Sequence, residues 1–271
     1  MFKYIGLNIF LFLLFIQCNN KKETFTAVKE VNTERQDSII NEYHTNCALK
    51  YSYRIQMKEW QNCLDKGLAA DSTIAYLWQK KAMPYFKAKK YEVGMEFLDK
   101  AVKYKPERWL SYRAFIKCIF SKQYKAAIID FKKAYELNGY DYEMDHSYDF
   151  YIALCHLQLN DFEKAESIFR EDIKKQVDKW GEAHYIDQFY YGITKYELGK
   201  WQEAIDEFDK TLAVYGNFSD VKFYKALCLR RLDKFSEYRE LIIEAKKDAA
   251  LHNTFNEDNS IYEPYPYKVR W

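Results

Sequence analysis

The stretch Ala75-Tyr-Leu-Trp78-Gln-Lys-Lys-Ala82-Met-Pro-Tyr85-Phe-Lys-Ala-Lys-Lys-Tyr91-Glu-Val-Gly94-Met-Glu-Phe-Leu98-Asp-Lys-Ala101-Val-Lys-Tyr-Lys-Pro106 decides the fold. Tyr91, Gly94, Leu98 and Ala101 step by three and four, so they share one face of a helix. Ala82 lies nine places before Tyr91 on a second helical pattern, and a small residue on each helix lets the pair approach closely. The same phase recurs along the chain. Its leading residues are Met57, Tyr91, Tyr124, Phe162, Trp201 and Phe235, at intervals of 34, 33, 38, 39 and 34 residues. Three places on stand Trp60, Gly94, Ala127, Ala165, Ala204 and Tyr238; ten places on stand Gly67, Ala101, Ala134, Asp172, Thr211 and Ala245. The preceding helices supply Ala48, Ala82, Ala114, Ala153, Gly192 and Ala226. Repetition at this period indicates stacked helical hairpins.

Composition agrees. Among 271 residues there are 8 Gly and 4 Pro, too few for a turn-rich sandwich or barrel. A net charge of +2 gives no global field for nucleic acid. At 48% hydrophobic the chain can bury a core, but 18% aromatic is high, and those rings need somewhere to go.

The pattern resembles the tetratricopeptide repeat, a helix-turn-helix unit, over roughly residues 41 to 252. The unit from Ala75 shows Trp78, Ala82, Tyr85, Tyr91, Gly94, Leu98, Ala101 and Pro106 at the family's spacing. The resemblance implies an all-α solenoid of about six hairpins in a right-handed superhelix. Trp60 and Tyr238 replace the small residue in the first and last units, as suits terminal repeats with one neighbour missing. The two long intervals hold Gly139–Asp145 and Lys174–Gly181, read as longer connections or extended helices. Pro84 inside a first helix predicts a local kink.

In this family the first helix of each hairpin lines the concave side, where ligands bind. The matching residues are Tyr76, Gln79, Met83, Trp109, Tyr112, Ile116, Phe150, Leu154, Ile186, Phe189, Ile193, Asp220, Phe223 and Leu227. Lys, Arg and Asn are nearly absent from that face, so an apolar or aromatic peptide guest is favoured over a clamped carboxylate; the same residues could equally be buried as core. A second candidate surface is the Pro- and aromatic-rich tail, residues 253–271, with Tyr262, Tyr265, Tyr267 and Trp271. Pro264 and Pro266 favour an extended path. Such a tail either packs back on its own solenoid or docks on a partner.

The N-terminus gives an address. Lys3 precedes an apolar run from Tyr4 to Ile16, too short to span a bilayer and followed by Cys18. It resembles a bacterial lipoprotein signal, which implies acylation of Cys18, although Gln17 stands where that family prefers a small residue. The expected organisation is a signal over 1–18, a polar tether over 19–38, the solenoid over 39–252 and the tail. Cys47, Cys63, Cys118, Cys155 and Cys228 lack metal-ligand spacing and read as buried free thiols. The five His show no i, i+4 pair, and there is neither a phosphate loop nor a nucleophile elbow. No catalysis, metal or cofactor is expected.

The sequence therefore implies a non-enzymatic scaffold for protein or peptide partners, lipid-tethered in the cell envelope, with the outer membrane and a periplasmic position favoured. An accessory lipoprotein of an outer-membrane assembly or secretion complex is one alternative. A glycan or small-molecule binder using the aromatic face is another.

Overall fold

The chain is described here by a computed structural model covering residues 33–271. Cys18 and the apolar run before it lie outside the described residues. Helix α1 (Thr33–Ile40) continues as a π turn (Asn41–Thr45) and pairs with α2 (Met57–Ala70). Five further hairpins follow: α3 (Ala75–Lys87) with α4 (Tyr91–Tyr104), α5 (Pro106–Phe115) with α6 (Tyr124–Asn138), α7 (Tyr148–Gln158) with α8 (Phe162–Trp180), α9 (Tyr185–Glu197) with α10 (Trp201–Val214), and α11 (Ser219–Arg231) with α12 (Phe235–Ala250). All six leading residues of the repeat open the second helix of their hairpin. Consecutive hairpins stack on one another, giving an α-solenoid. No helix among the described residues is long and apolar enough to cross a membrane.

The small residues act by close approach. Ala82, Ala114, Ala153, Ala226, Ala127, Ala165 and Ala204 are fully buried. A Cβ added at Gly192 would stand 2.6 Å from the Phe208 ring, and one at Gly94 would stand 2.6 Å from Phe86. Each glycine is therefore the seat of an aromatic side chain across its own hairpin.

Three expectations change. Ala48 is buried, but on a 3-10 turn (Ala48–Lys50), because the first helix ends in its π turn. Helix α1 begins at Thr33, inside the stretch read as tether. Cys47 and Cys63 are not free thiols: they form a disulfide with Cα atoms 5.7 Å apart, tying the segment after the first helix to α2. Closing a loop of 16 residues stabilises the hairpin by about 3 kcal/mol in the chain-entropy account. Cys118, Cys155 and Cys228 are buried and free, as the sequence suggested.

At Pro84, helix α3 runs on through the proline to Lys87. Proline has no N–H to give the Lys80 carbonyl one turn back. The Trp60 indole of the preceding hairpin donates to that carbonyl instead, at 3.3 Å, and Gln61 Nε2 donates to the next one, Lys81, at 3.1 Å. The large residue at Trp60 thus repairs, from a neighbouring repeat, the ladder that Pro84 breaks. Trp60→Phe should cost about 1 kcal/mol by denaturant unfolding, since it leaves a carbonyl unpaired. In a Pro84→Ala background most of that cost should vanish, because the restored amide takes over the carbonyl; equal costs in both backgrounds would contradict the pairing.

Candidate functional site

The two long repeat intervals build the polar centre of the molecule. In the first, Tyr142–Glu143 and His146–Ser147 form a two-stranded antiparallel hairpin, β1 and β2, turning through Met144 at φ 53°. Ser147 then caps α7 by accepting the Phe150 N–H at 2.9 Å. In the second, α8 is drawn out to 19 residues and ends at Gly181, whose φ of 85° suits glycine. The hairpin contributes Tyr140, His146 and Ser147 from one side. The long helix contributes Asp172 and Gln176 from the other, and α9 adds Asp187.

These groups form one buried network. Tyr140 Oη and Ser147 Oγ each donate to Asp172 Oδ1 at 2.8 Å. Gln176 Nε2 donates to Asp172 Oδ2 at 3.0 Å and to Asp187 Oδ2 at 2.6 Å, while Gln176 Oε1 accepts the His184 N–H at 2.9 Å. His146 lies flat on the Phe150 ring, with centroids 4.0 Å apart. Its Nδ1 donates to Asp187 Oδ1 at 2.5 Å and its Nε2 to Glu257 Oε1 at 3.3 Å. Burial by itself would lower the His146 pKa; the two carboxylates outweigh it and raise the value to about 10. Burial would raise Asp187, but His146 and then His184 bring it down to about 2. Burial and the Asp187 charge push Asp172 up to about 6.

His146, His184 and Asp187 also bring potential metal-ligand atoms within 4.8 Å of one another. Both His146 nitrogens, however, face carboxylates. The arrangement is that of an imidazolium shared by two acids, and a metal would have to displace both bonds.

Glu257 belongs to the tail, and the tail lies along the first helices. It leaves α12 with Asn253 O accepting the Ser219 N–H at 2.9 Å. Phe255, 1% exposed, inserts among Phe189, Tyr190 and Phe218. After a 3-10 turn (Asp258–Ile261) the chain reaches the first two hairpins, where Arg54 Nη2 donates to Tyr262 Oη at 3.0 Å and the Lys87 ammonium sits 4.6 Å from that ring. It then returns. Lys122 donates to Pro264 O at 2.9 Å and Tyr190 Oη to Pro266 O at 2.8 Å; Tyr265 is buried against Phe255. Tyr267 Oη donates to Glu197 Oε1 at 2.9 Å, and Trp271 ends edge-on to Phe223. Asp220 holds both limbs of this loop, accepting the Phe255 N–H at 3.0 Å and the Val269 N–H at 2.7 Å.

The residues singled out on the first-helix face therefore fall into three groups. Phe189 and Phe223 touch the tail directly. Trp109 and Tyr112, each 7% exposed, and Ile116, Phe150, Leu154, Ile186 and Ile193, at 0–1%, are packed in the core. Tyr76 and Met83 are half-buried near the first hairpin, beside buried Gln79. Leu227 is half-buried. Of the tail residues, Tyr265 is buried, Tyr262 and Tyr267 are half-buried, and Trp271 stays 46% exposed. His146, Asp187, Gln176 and Glu257 were missed as a group. Two signals were present: Asp172 stands where other repeats carry Ala, Thr or Gly, and Asp220 is the one acid on a mostly apolar face.

The sequence profile of the tetratricopeptide repeat matches residues 75–108. No curated protein sequence matches the chain. Among solved structures, PilW, a widely conserved type IV pilus biogenesis factor, aligns with a TM-score of 0.61 at 15% identity, over 83% of this chain and 96% of that one. Pseudomonas aeruginosa PilF aligns at 0.57 and 14% identity, over 80% and 99%. YrrB, described as a TPR protein with an unusual peptide-binding site, aligns at 0.51 and 14% identity, over 70% and 93%. At these identities the likeness is one of fold: the chain is a solenoid of tetratricopeptide-like helical hairpins.

The raised His146 pKa has a pH signature. Its stabilisation is complete below the unfolded value of about 6.5 and is lost as pH rises through 10. The Asp187 partner loses its share only as pH falls from about 4 through 2. Unfolding free energy measured by denaturant between pH 7 and 10 should fall, and His146→Gln should flatten that slope. An unchanged slope in the variant would contradict the imidazolium assignment.

Proposed function

We propose that the protein is a non-catalytic interaction scaffold, held in the bacterial cell envelope by a lipid on Cys18, whose first-helix face receives an extended, aromatic, proline-bearing peptide. The observation that carries this reading is the tail itself. An irregular segment lies along the first helices, held by side-chain bonds to its backbone at Phe255, Pro264, Pro266 and Val269 and by aromatic contacts at Phe255, Tyr267 and Trp271. Backbone bonds hold a peptide of any sequence, and the ring contacts choose among sequences. In this state the chain's own tail fills the receptor, so a partner segment of similar chemistry would compete with it.

Two further observations support the envelope part. The Cys47–Cys63 disulfide suits an oxidising compartment outside the cytosol. The likeness in fold to PilW, described as a type IV pilus biogenesis factor, favours a supporting role in an envelope assembly, by analogy of architecture. The buried, doubly bonded His146 centre has the character of a structural latch, since it presents no free nitrogen to a substrate.

A chain ending at residue 258 should melt several degrees lower than the full chain. A synthetic peptide of residues 259–271 should bind the shortened chain by calorimetry and restore its melting temperature, while leaving the full chain untouched. A peptide that binds neither form, or both equally, would remove the basis for the receptor reading.

A further inference from the structure

A cleft of about 440 Å³ opens at the first hairpin, a size typical of ligand sites. Its walls include Tyr51, Tyr53 and Trp60, with Arg54 and Lys80 as its cations. No carboxylate lines it. Among the described residues neither cation, nor the adjoining Lys87, stands within ion-pair distance of an acid. The Lys80 ammonium rests on the Tyr76 ring at 4.8 Å, and Lys87 donates to Tyr53 Oη at 3.2 Å. Burial, with Arg108 and Lys87 nearby, lowers the Lys80 pKa, and burial and Lys80 hold His44 neutral, at about 4. Among the described residues these charges lack an ion-pair partner that would offset them.

The rim adds a second observation. Ile55 and Ile261, 84% and 74% exposed, are the two most exposed large apolar side chains among the described residues. The bond from Arg54 to Tyr262 joins their two segments, so both sit at this one end of the solenoid, beside exposed Leu49. Cations, hydroxyls and rings around a cleft, with bare isoleucines at its edge, match the layered chemistry of a bilayer surface: anionic phosphate outside, hydrocarbon beneath.

We propose that this end of the solenoid docks on an anionic membrane, with a lipid phosphate in the cleft between Lys80 and Arg54 and with Ile55 and Ile261 seated in the interfacial layer. The docking is a property of the folded surface and does not need the acyl group on Cys18. It would orient the solenoid on the membrane that its anchor reaches.

The test uses residues 19–271, which contain every described element and lack the lipidated cysteine. Sedimentation with vesicles of phosphatidylcholine containing 30% phosphatidylglycerol should recover the protein; pure phosphatidylcholine vesicles should not. Lys80→Ala and Arg54→Ala should each weaken binding about fivefold, the change expected for one cation near an anionic leaflet. Ile55→Ser/Ile261→Ser should weaken it as well, with unchanged melting in that variant and in Lys80→Ala; Arg54→Ala also removes a bond to Tyr262 and is read for vesicle binding alone. Millimolar glycerol phosphate should compete only weakly. Equal binding to both vesicle types, full activity of the isoleucine variant, or tight binding of free phosphate without vesicle binding would each overturn the proposal. None of these outcomes bears on the peptide receptor, which the shortened chain tests separately.

Discussion

The face formed by the first helices is too apolar to be left in water, and the structure depends on how that face is covered. Phe189, Tyr190, Phe218, Phe223 and Tyr224 on the last two hairpins are met by Phe255, Trp271 and Tyr267 of the tail, and Asp220 fastens the tail at two backbone amides. A buried carboxylate without donors would cost several kcal/mol, and an apolar face left bare would invite association. Each solves the other's problem: Asp220 needs the tail's N–H groups, and the tail's rings need the face.

The latch on the tail comes from the places where the repeat departs from its period. An ordinary interval leaves room for a tight turn and nothing more. The longer one after Tyr124 makes the β1–β2 hairpin, which sets His146 over Phe150; the one after Phe162 extends α8 and brings Gln176 beside Asp187. Glu257 then reaches in from the tail to the same imidazole. Solenoid repeats contact only their neighbours, so a tail that touches hairpins one, two, three, five and six adds long-range coupling that the stacking alone lacks.

The repeat phase was legible because close helix approach demands small residues at fixed steps, and the leading residues Met57 through Phe235 all open helices. What remained hidden depends on tertiary proximity. Cys47 and Cys63 share no diagnostic spacing, and only the fold of the first hairpin brings them together. Trp60 read as a terminal-repeat substitution, whereas its indole answers a carbonyl freed by Pro84 on the next hairpin. Sequence periodicity groups the face residues but cannot say what lies over them: Trp109 and Phe150 are core, while Phe189 and Phe223 are a seat for the tail. Among the described residues, most of the buried rings divide between hairpin cores and a self-filled groove.

The central claim is that the tail is an integral segment of the folded solenoid. Native-state hydrogen exchange resolved by residue tests it most directly. The amides of Phe255 and Val269, both bonded to Asp220, should be protected to a degree comparable with those of α9 and α11. Exchange of those two amides at the rate of an open coil, while α9 and α11 stay protected, would contradict the account.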